Sequence, residues 1–294
     1  MIKRISRKKL DVDKYTKCLS KSVNYRIYAE VWYLDTLVEN NWDCYVLNDY
    51  EAIMPLPFVK KFGIKFITQP IYCQQLGVFH QKKLSKETFN KFEKKLHRNL
   101  VRAYSFNEEN TEMFEPEGSQ KINYILNLNQ NYNAIFQNYT LKRKKDLTKS
   151  HRNGIHVKEV DDLTEFNILN SKYSYVQDHK LENQSKKIST YFFQIKLLKI
   201  FHVYLDEKLL AVQLMLYSKN RLICFAYARD KKIDKYNSSA FVKDFLFNEN
   251  QSKNLFFDFE GSMIPSIAKF MQGFGAEKKI YTNYTNLGFL TKKN

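Results

Sequence analysis

Two sets of three consecutive strand-like runs constrain the fold of this chain more than any other feature. The first set is Trp42–Asn48, Tyr50–Val59 and Ile64–Tyr72, and the second is Phe201–Leu205, Lys208–Tyr217 and Arg221–Ala228. Short polar or glycine-containing segments separate the runs, as expected of turns between antiparallel strands. Corresponding runs begin at a nearly constant offset while sharing almost no identical residues. The pattern therefore predicts two similar domains in tandem.

Helical periodicity fills the segments around the strands. Phe89, Phe92, Leu96 and Leu100 share one face of a helix predicted from about Ser85. Further helices are predicted at 132–139, 163–176, 188–200 and from Ser238-Ser239 to about 250. The segment Glu108–Gln120, with several acids, Pro116 and Gly118, predicts a loop. The fold class is thus α/β with mixed sheets, divided into domains 1–135 and 136–294. A last strand near 284–290 is a candidate to pack on the first domain.

The segment Leu255–Tyr281 predicts a strand, a turn and a helix in succession. Its run LFFDF has the length of a buried strand and ends in acids, Asp258 and then Glu260. Gly261 signals the turn, and Pro265 suits the first turn of a helix. Ligands commonly bind where strands give way to helices in α/β folds. The alternative is a unit that serves packing alone.

Composition places the chain among globular proteins that keep their thiols reduced. Hydrophobic residues make up 44% and aromatic residues 15%, which excludes a disordered protein. No apolar run approaches the roughly 18 residues that a membrane span needs, and the basic N-terminus lacks the apolar core of a secretory signal. The four cysteines lie far apart and the six histidines show no metal spacing, so neither disulfides nor a metal site is expected. We expect a cytoplasmic protein.

A net charge of +17 predicts attraction to anionic partners. Candidates are tRNA, an acidic carrier protein, a phosphorylated small molecule and, through peripheral contact, anionic lipid. The strongest cluster is the helix predicted after Asn138, where Lys142, Lys145, Lys149 and Arg152 follow at helical spacing. Such a stripe suits a phosphate backbone or an acidic carrier. The alternative is a solvated helix face and a lysine-rich composition.

Three segments together resemble the FemAB-like, tandem-domain branch of the GNAT superfamily of N-acyltransferases. They are FDFEGSMIPSIAKFMQGFGAE (Phe257–Glu277), NYTLKRKKDLTKSHRNGIHVKEV (Asn138–Val160) and AIMPLPFVKKFGIKFITQPIYCQQLGVF (Ala52–Phe79). The first is similar to the closing motif of that group, the second to its basic helix, and the third to its first meander. The resemblance covers most of the chain and implies two GNAT-like domains.

The resemblance implies transfer of an acyl group to an amine. The donor is acyl-CoA or an acyl carrier protein, used as a co-substrate without a permanently bound cofactor. The alternatives are an aminoacyl-tRNA-dependent, Fem-type transferase acting on a cell-wall precursor, and a non-catalytic module that binds RNA or a carrier. Such a reaction needs a group that takes the proton of the amine. Asp258 and Glu260 alternate on one predicted strand, so their side chains share a face and form the candidate catalytic pair, with Glu260 as base and Asp258 as the more structural member.

The chain departs from the family where CoA-dependent relatives carry a glycine-containing phosphate loop. The corresponding segment, Ala228–Phe241, has no glycine, so its backbone cannot easily approach a phosphate. The candidate replacements are the charges of Lys231 and Lys232 and the helix N-terminus at Ser238-Ser239. The lysine that the family often places after the phenylalanine of its closing motif is Met271 here. Gln74 and Gln75 are candidates to line a cleft between the domains, or else buried amides that satisfy the backbone.

Overall fold

The computed structural model describes residues 1–173 and 179–287, whose contacts divide the chain into two units. Unit 1 contains Met1–Ile122 and the C-terminal residues from Lys279, and unit 2 is Asn123–Lys278. The predicted class, α/β with mixed sheets, is confirmed. None of the described helices has the length and apolarity that a membrane crossing requires.

A meander at the centre of unit 1 confirms the first predicted set of strands. Its strands β2, β3 and β4 pair antiparallel in chain order, β1 pairs with β2, β5 with β3, and β6 runs parallel to β4. Strand β7 pairs antiparallel with β14. The strands are β1 (Ile2–Ser6), β2 (Trp42–Leu47), β3 (Ala52–Lys61), β4 (Ile64–Ile67), β5 (Phe79–His80), β6 (Leu100–Val101), β7 (Tyr104–Phe106), β8 (Ser119–Asn127), which unit 2 shares, and β14 (Glu277–Tyr284).

Four helices cover these strands in unit 1, namely α1 (Val12–Ser20), α2 (Val31–Val38), α3 (Lys86–His97) and α4 (Glu108–Phe114). The helix predicted from Ser85 is confirmed up to His97, whereas Leu100, predicted on its apolar face, lies in β6. The Ser85 hydroxyl caps the helix by accepting from the Thr88 N–H. The loop predicted over Glu108–Gln120 is wrong in its first half, where α4 forms. The Asn107 side chain caps this helix, and Phe114 anchors it in the core.

Six neighbouring strands of one sheet form the framework of unit 2, in the order β8-β13-β12-β11-β10-β9. Strands β9 to β12 are antiparallel neighbours in chain order, which confirms the second predicted set, whereas β13 runs parallel to β12. The bounds are β9 (Ile155–Val160), β10 (Leu198–Leu205), β11 (Lys208–Tyr217), β12 (Arg221–Arg229) and β13 (Phe256–Asp258). Each unit therefore carries its own antiparallel meander, as the tandem pattern predicts.

The helices of unit 2 are α5 (Tyr132–Gln137), α6 (Leu141–Arg152), α7 (Thr164–Tyr173), α8 (His179–Gln194), α9 (Ser238–Glu249) and α10 (Pro265–Gln272). The helix predicted over 188–200 corresponds to α8, which ends at Gln194, and β10 begins at Leu198. The end of the helix predicted over 163–176 lies outside the described residues. An aromatic cluster of Phe247, Phe257, Phe259 and Phe274 ties α9 and β13 to the segment that follows α10.

The division between the units falls earlier than the predicted boundary at 135/136. Ile125 and Asn127 of β8 pair with Asp258 and Phe256 of β13, so the second half of β8 belongs to unit 2. The C-terminal strand is β14, which ends at Tyr284 and pairs with β7 of unit 1. It therefore precedes the strand predicted at 284–290, of which residues 288–290 lie outside the described part of the chain.

Candidate active site

Two neighbouring parallel strands of unit 2 separate at one end and leave room for a ligand. Strand β13 pairs with β12 only from Arg221 to Ile223, and it stops at Asp258. Beyond this point β12 continues to Arg229, whereas the segment that follows β13 turns away through Glu260 and Gly261, each with φ 60°. Where the two strands stop pairing, the C-terminal part of β12 can form a wall of a ligand site.

A cavity of about 690 Å³ lies at this opening. Its walls come from α7, β12 and the loop after it, α9, Phe259 and α10. The lining residues are Leu169, Asn170, Tyr173, Cys224, Tyr227, Ala228, Arg229, Lys231, Asp234, Asn237, Ser239, Ala240, Lys243, Phe259, Ser266, Ile267, Phe270 and Met271. A volume of this size, with mostly apolar walls and a few polar groups, is typical of a small-molecule site.

A bulge in β12 shapes the floor of the cavity. Leu214 and Met215 are consecutive on β11, yet they face Ala226 and Cys224, so Phe225 is left without an opposite residue. A bulge re-aims the side chains beside it. Cys224 on one side of it lines the cavity, and burial raises the pKa of its thiol. Cys224 therefore stays protonated and is a poor nucleophile at neutral pH.

The N-terminus of α9 borders the cavity, and no side chain caps it. The cap residue is Asn237, in the left-handed conformation, rather than the predicted Ser238-Ser239. Ser238 is buried, and its hydroxyl donates to the Asp234 carboxylate (2.6 Å) and also bonds the Tyr227 hydroxyl (2.7 Å). Ser239 lines the cavity. An uncapped helix start leaves backbone N–H groups that suit an anion.

Of the two lysines predicted in the glycine-free loop, only one reaches the cavity. Lys231 is among the lining residues, whereas Lys232 is exposed and absent from them in the described part of the chain. The loop contains no glycine. A local hydrogen bond stabilises its turn instead, in which the Asp230 carboxylate accepts from the Lys232 backbone N–H at 2.8 Å.

Lys243, which the sequence did not single out, lies in the cavity wall one turn into α9. Its side chain is 5% exposed, and its ammonium donates to Gln213 Oε1 and to Ser239 Oγ, each at 3.1 Å. It also lies 5.0 Å from the centre of the Tyr227 ring and 5.7 Å from that of Phe270. Burial lowers the pKa of Lys243. The sequence feature that could have indicated this buried lysine is its position within the largely apolar segment AFVKDFLF, residues 240–247.

The predicted catalytic pair, Asp258 and Glu260, occupies two different environments. Asp258 is 1% exposed and accepts from Arg221 (2.5 Å), from Asn123 (3.0 Å) and from the Glu260 backbone N–H (2.9 Å). Glu260 lies beyond the strand end in a left-handed conformation and is half-buried. Because β13 stops at Asp258, the strand alternation that would place both carboxylates on one face does not apply. Within the described chain, neither residue lines the cavity.

The predicted cationic side chains of α6 lie in solvent beside α9. Lys142, Lys145, Lys149 and Arg152 are all exposed. The Ser150 hydroxyl donates to the Tyr236 carbonyl (2.7 Å), and the His151 ring meets that of Phe241, so the end of α6 adjoins the start of α9.

Arg143 is the buried cation of this helix, and it has a structural role. It donates to the Phe270 carbonyl (3.0 Å) and stacks on the rings of Phe270 and Phe274, at 4.4 and 4.2 Å.

The predicted glutamines lie in unit 1. Gln75 is fully buried, donates to Gln74 Oε1 (2.8 Å) and Glu108 Oε1 (3.1 Å), and accepts from the Glu108 N–H (3.1 Å). These bonds fit the alternative in which a buried amide satisfies the start of α4.

Replacing Lys145, Lys149 and Arg152 together by alanine should weaken the binding of an anionic donor and flatten its dependence on salt. The melting temperature should stay nearly constant, because exposed side chains contribute little to stability. Titrations of acyl-CoA and of tRNA across a salt series measure the effect. The matched control removes three exposed lysines of unit 1, Lys8, Lys9 and Lys17. Equal losses in both triple variants would assign the effect to net charge alone.

Solved structures of similar fold include FemX and a GNAT-family acetyltransferase. A structure of FemX superposes with a TM-score of 0.66 at 9% identity over 98% of each chain. A GNAT-family acetyltransferase from Colwellia psychrerythraea gives 0.55 at 11% identity, over 97% of this chain and 100% of that one. The structure of L-PGS from Bacillus licheniformis gives 0.54 at 11% identity, over 94% and 92%. No protein-family model and no curated protein matches the sequence.

These similarities confirm the expected fold. The chain has a FemAB-like, GNAT-type fold. At such low identities the comparison extends to architecture and not to the substrate.

Proposed function

We propose that this protein is an N-acyltransferase that moves an acyl group from acyl-CoA or an acyl carrier protein to an amine in the cavity of unit 2. The observation that carries the proposal is the opening between β12 and β13, bordered by the uncapped start of α9, in a transferase fold. The apolar part of the cavity can hold the acyl group, and the cations that line it, Arg229 and Lys231, can bind an anionic donor. We place this activity in the cytoplasm, where reduced cysteines and such donors occur.

The chemistry requires little beyond positioning and one base. The amine nitrogen attacks the thioester carbonyl, a C–N bond forms, the C–S bond breaks, and the thiol of the donor leaves. The proton lost by the amine passes through water to Glu260, which directly follows the lining residue Phe259, and the thiolate takes up a proton. Because a thioester is already activated, the orientation of the two substrates supplies much of the rate. Asp258 holds the turn that presents Glu260, since it accepts from that residue's backbone N–H.

The donor's anionic end is assigned to the margin formed by Lys231, Ser239 and the N–H groups at the start of α9. The exposed cations of α6 extend this margin, because Ser150 joins the end of α6 to the residue before Asn237. Lysine charges thereby replace the glycine-rich backbone that the loop lacks.

A second candidate is an aminoacyl-tRNA-dependent transferase of the Fem type, acting on a cell-wall precursor. The exposed stripe on α6 favours it, because four cations along one helix suit a polyanion better than a single pyrophosphate. A catalytically inactive module that binds RNA or a carrier is the third alternative, and it predicts binding without transfer.

Narrowing the mouth of the cavity tests the proposal. Ile267 lines the cavity and is 40% exposed, so Ile267→Trp should fit without disturbing the core and should reduce transfer from acyl donors at least tenfold. The matched control is Ile264→Trp, one turn earlier, which is 55% exposed and does not line the described cavity. Transfer is measured by mass spectrometry, with acetyl-CoA, acyl carrier protein or aminoacyl-tRNA as donor and a panel of amines as acceptor.

The three donors separate the candidate functions. Transfer from a thioester that Ile267→Trp alone impairs supports the proposal, and transfer from aminoacyl-tRNA only supports the second candidate. Equal activity of both tryptophan variants would remove the reaction from this cavity. Binding of tRNA or carrier protein with no product from any donor would favour the non-catalytic module.

A further inference from the structure

Lys243 is a buried ammonium group without a carboxylate partner. Its two hydrogen-bond acceptors, Gln213 Oε1 and Ser239 Oγ, are neutral, and no acid of the described chain forms an ion pair with it. An ammonium group has three N–H donors, so one donor remains for a ligand. Arg143 is a neighbouring like charge, which together with burial lowers the pKa of Lys243.

A buried charge without a counter-charge destabilises the folded protein, and such groups cluster at functional sites. The acids of this region are committed elsewhere. Asp234 accepts from Ser238 and Arg229, and Asp244 accepts from Tyr132 and Tyr139. Among the described residues, therefore, none supplies a carboxylate partner for Lys243, and an anion can reach it from the cavity that it lines.

One side of the cavity wall is apolar. Phe259, Phe270 and Met271 line it beside Lys243, and Ile267 stands at its exposed margin. Apolar side chains thus line the cavity next to the Lys243 ammonium, and Arg229 and Lys231 are the other cations of its lining.

We infer that the cavity takes an aliphatic acyl group whose carboxylate or carbonyl oxygen binds Lys243 and whose chain lies against Phe259, Phe270, Met271 and Ile267. This inference deepens the proposed function, on which it rests, by naming an aliphatic acyl chain as the group transferred. In the transfer reaction the same ammonium would stabilise the oxyanion that develops on the attacked carbonyl.

Binding of octanoate to the whole protein, measured by calorimetry in the absence of any acceptor, tests the inference. Octanoate should bind roughly 10- to 100-fold more tightly than octanol, as expected of a hydrogen bond to a charged group. Shortening the chain to butyrate should weaken binding by about fourfold for each methylene removed. Inorganic phosphate is the probe for an anion without a chain.

Lys243→Met keeps the length of the side chain and removes the charge. It should abolish the preference for octanoate over octanol while the melting temperature stays constant or rises, because an unpaired buried ammonium is removed. Lys269→Met, on an exposed lysine of α10, is the matched control and should keep the preference.

The outcomes separate this inference from the proposed function. Equal affinity for octanoate and octanol, or an unchanged preference in Lys243→Met, would overturn it. Phosphate binding as tight as octanoate, with no effect of chain length, would also overturn it in favour of a simple anion site. Octanoate binding that depends on Lys243, in a protein that transfers nothing, would support the ligand assignment and reject the transferase.

Discussion

Replacing Asp258 by asparagine should lower the free energy of unfolding by about 3–5 kcal/mol, because it leaves the Arg221 guanidinium buried without its counter-charge. Arg221 is 5% exposed and Asp258 1%, and the two are joined at 2.5 Å. The asparagine keeps an oxygen for Asn123 and for the Glu260 N–H, so the loss reports the charge rather than the turn. Chemical denaturation monitored by tryptophan fluorescence and circular dichroism measures it.

An exposed ion pair of the same unit is the matched control. Lys199 and Glu159 are joined at 2.9 Å across β10 and β9, with side chains 46% and 51% exposed. Glu159→Gln should therefore cost at most about 1 kcal/mol. The double variant Arg221→Met/Asp258→Asn should recover part of the stability that Asp258→Asn loses. Similar losses in Asp258→Asn and Glu159→Gln would contradict the assignment of Asp258 as the counter-charge of a buried arginine.

Glu260→Gln should reduce turnover by roughly 10²–10⁴-fold if Glu260 takes the proton of the amine, which is the usual range for a positioned base. Its melting temperature should change little, since the side chain is half-buried and the turn depends on the backbone N–H of Glu260. Initial rates at saturating donor and acceptor give the effect, with folding verified by thermal denaturation.

The control for this variant is Glu249→Gln, at the exposed far end of α9. It removes a carboxylate from the same unit and should leave turnover unchanged. Turnover near that of the unaltered protein in Glu260→Gln would mean that orientation of the substrates drives the reaction without a carboxylate base.

Local patterns predicted the strands well because their residues are buried in a regular way. Both meanders and the strand–turn–helix segment follow from apolar runs separated by turn residues, and these runs match β2–β4, β10–β12 and β13–α10. The helix α4 escaped prediction because its stability comes from the Asn107 cap and from Phe114 in the core, while its composition is acidic.

The candidate site was harder to predict because it depends on where strands stop pairing. The sequence placed Asp258 and Glu260 on one strand, whereas the left-handed turn at Glu260 separates them. The domain boundary was misplaced for a similar reason, since the pairing of β8 with β13 joins residues far apart in the chain. Lys243 became visible only when Gln213 of β11 and the ring of Tyr227 of β12 were placed around it.

The return of the chain to unit 1 after Lys278 has a consequence for how the protein is made. On the ribosome, β7 emerges early, but its antiparallel partner β14 follows the whole of unit 2. At usual rates of synthesis the intervening residues take roughly ten to thirty seconds to appear. Unit 2 is contiguous and can fold as soon as it emerges, whereas unit 1, the first to be translated, is the last to be completed.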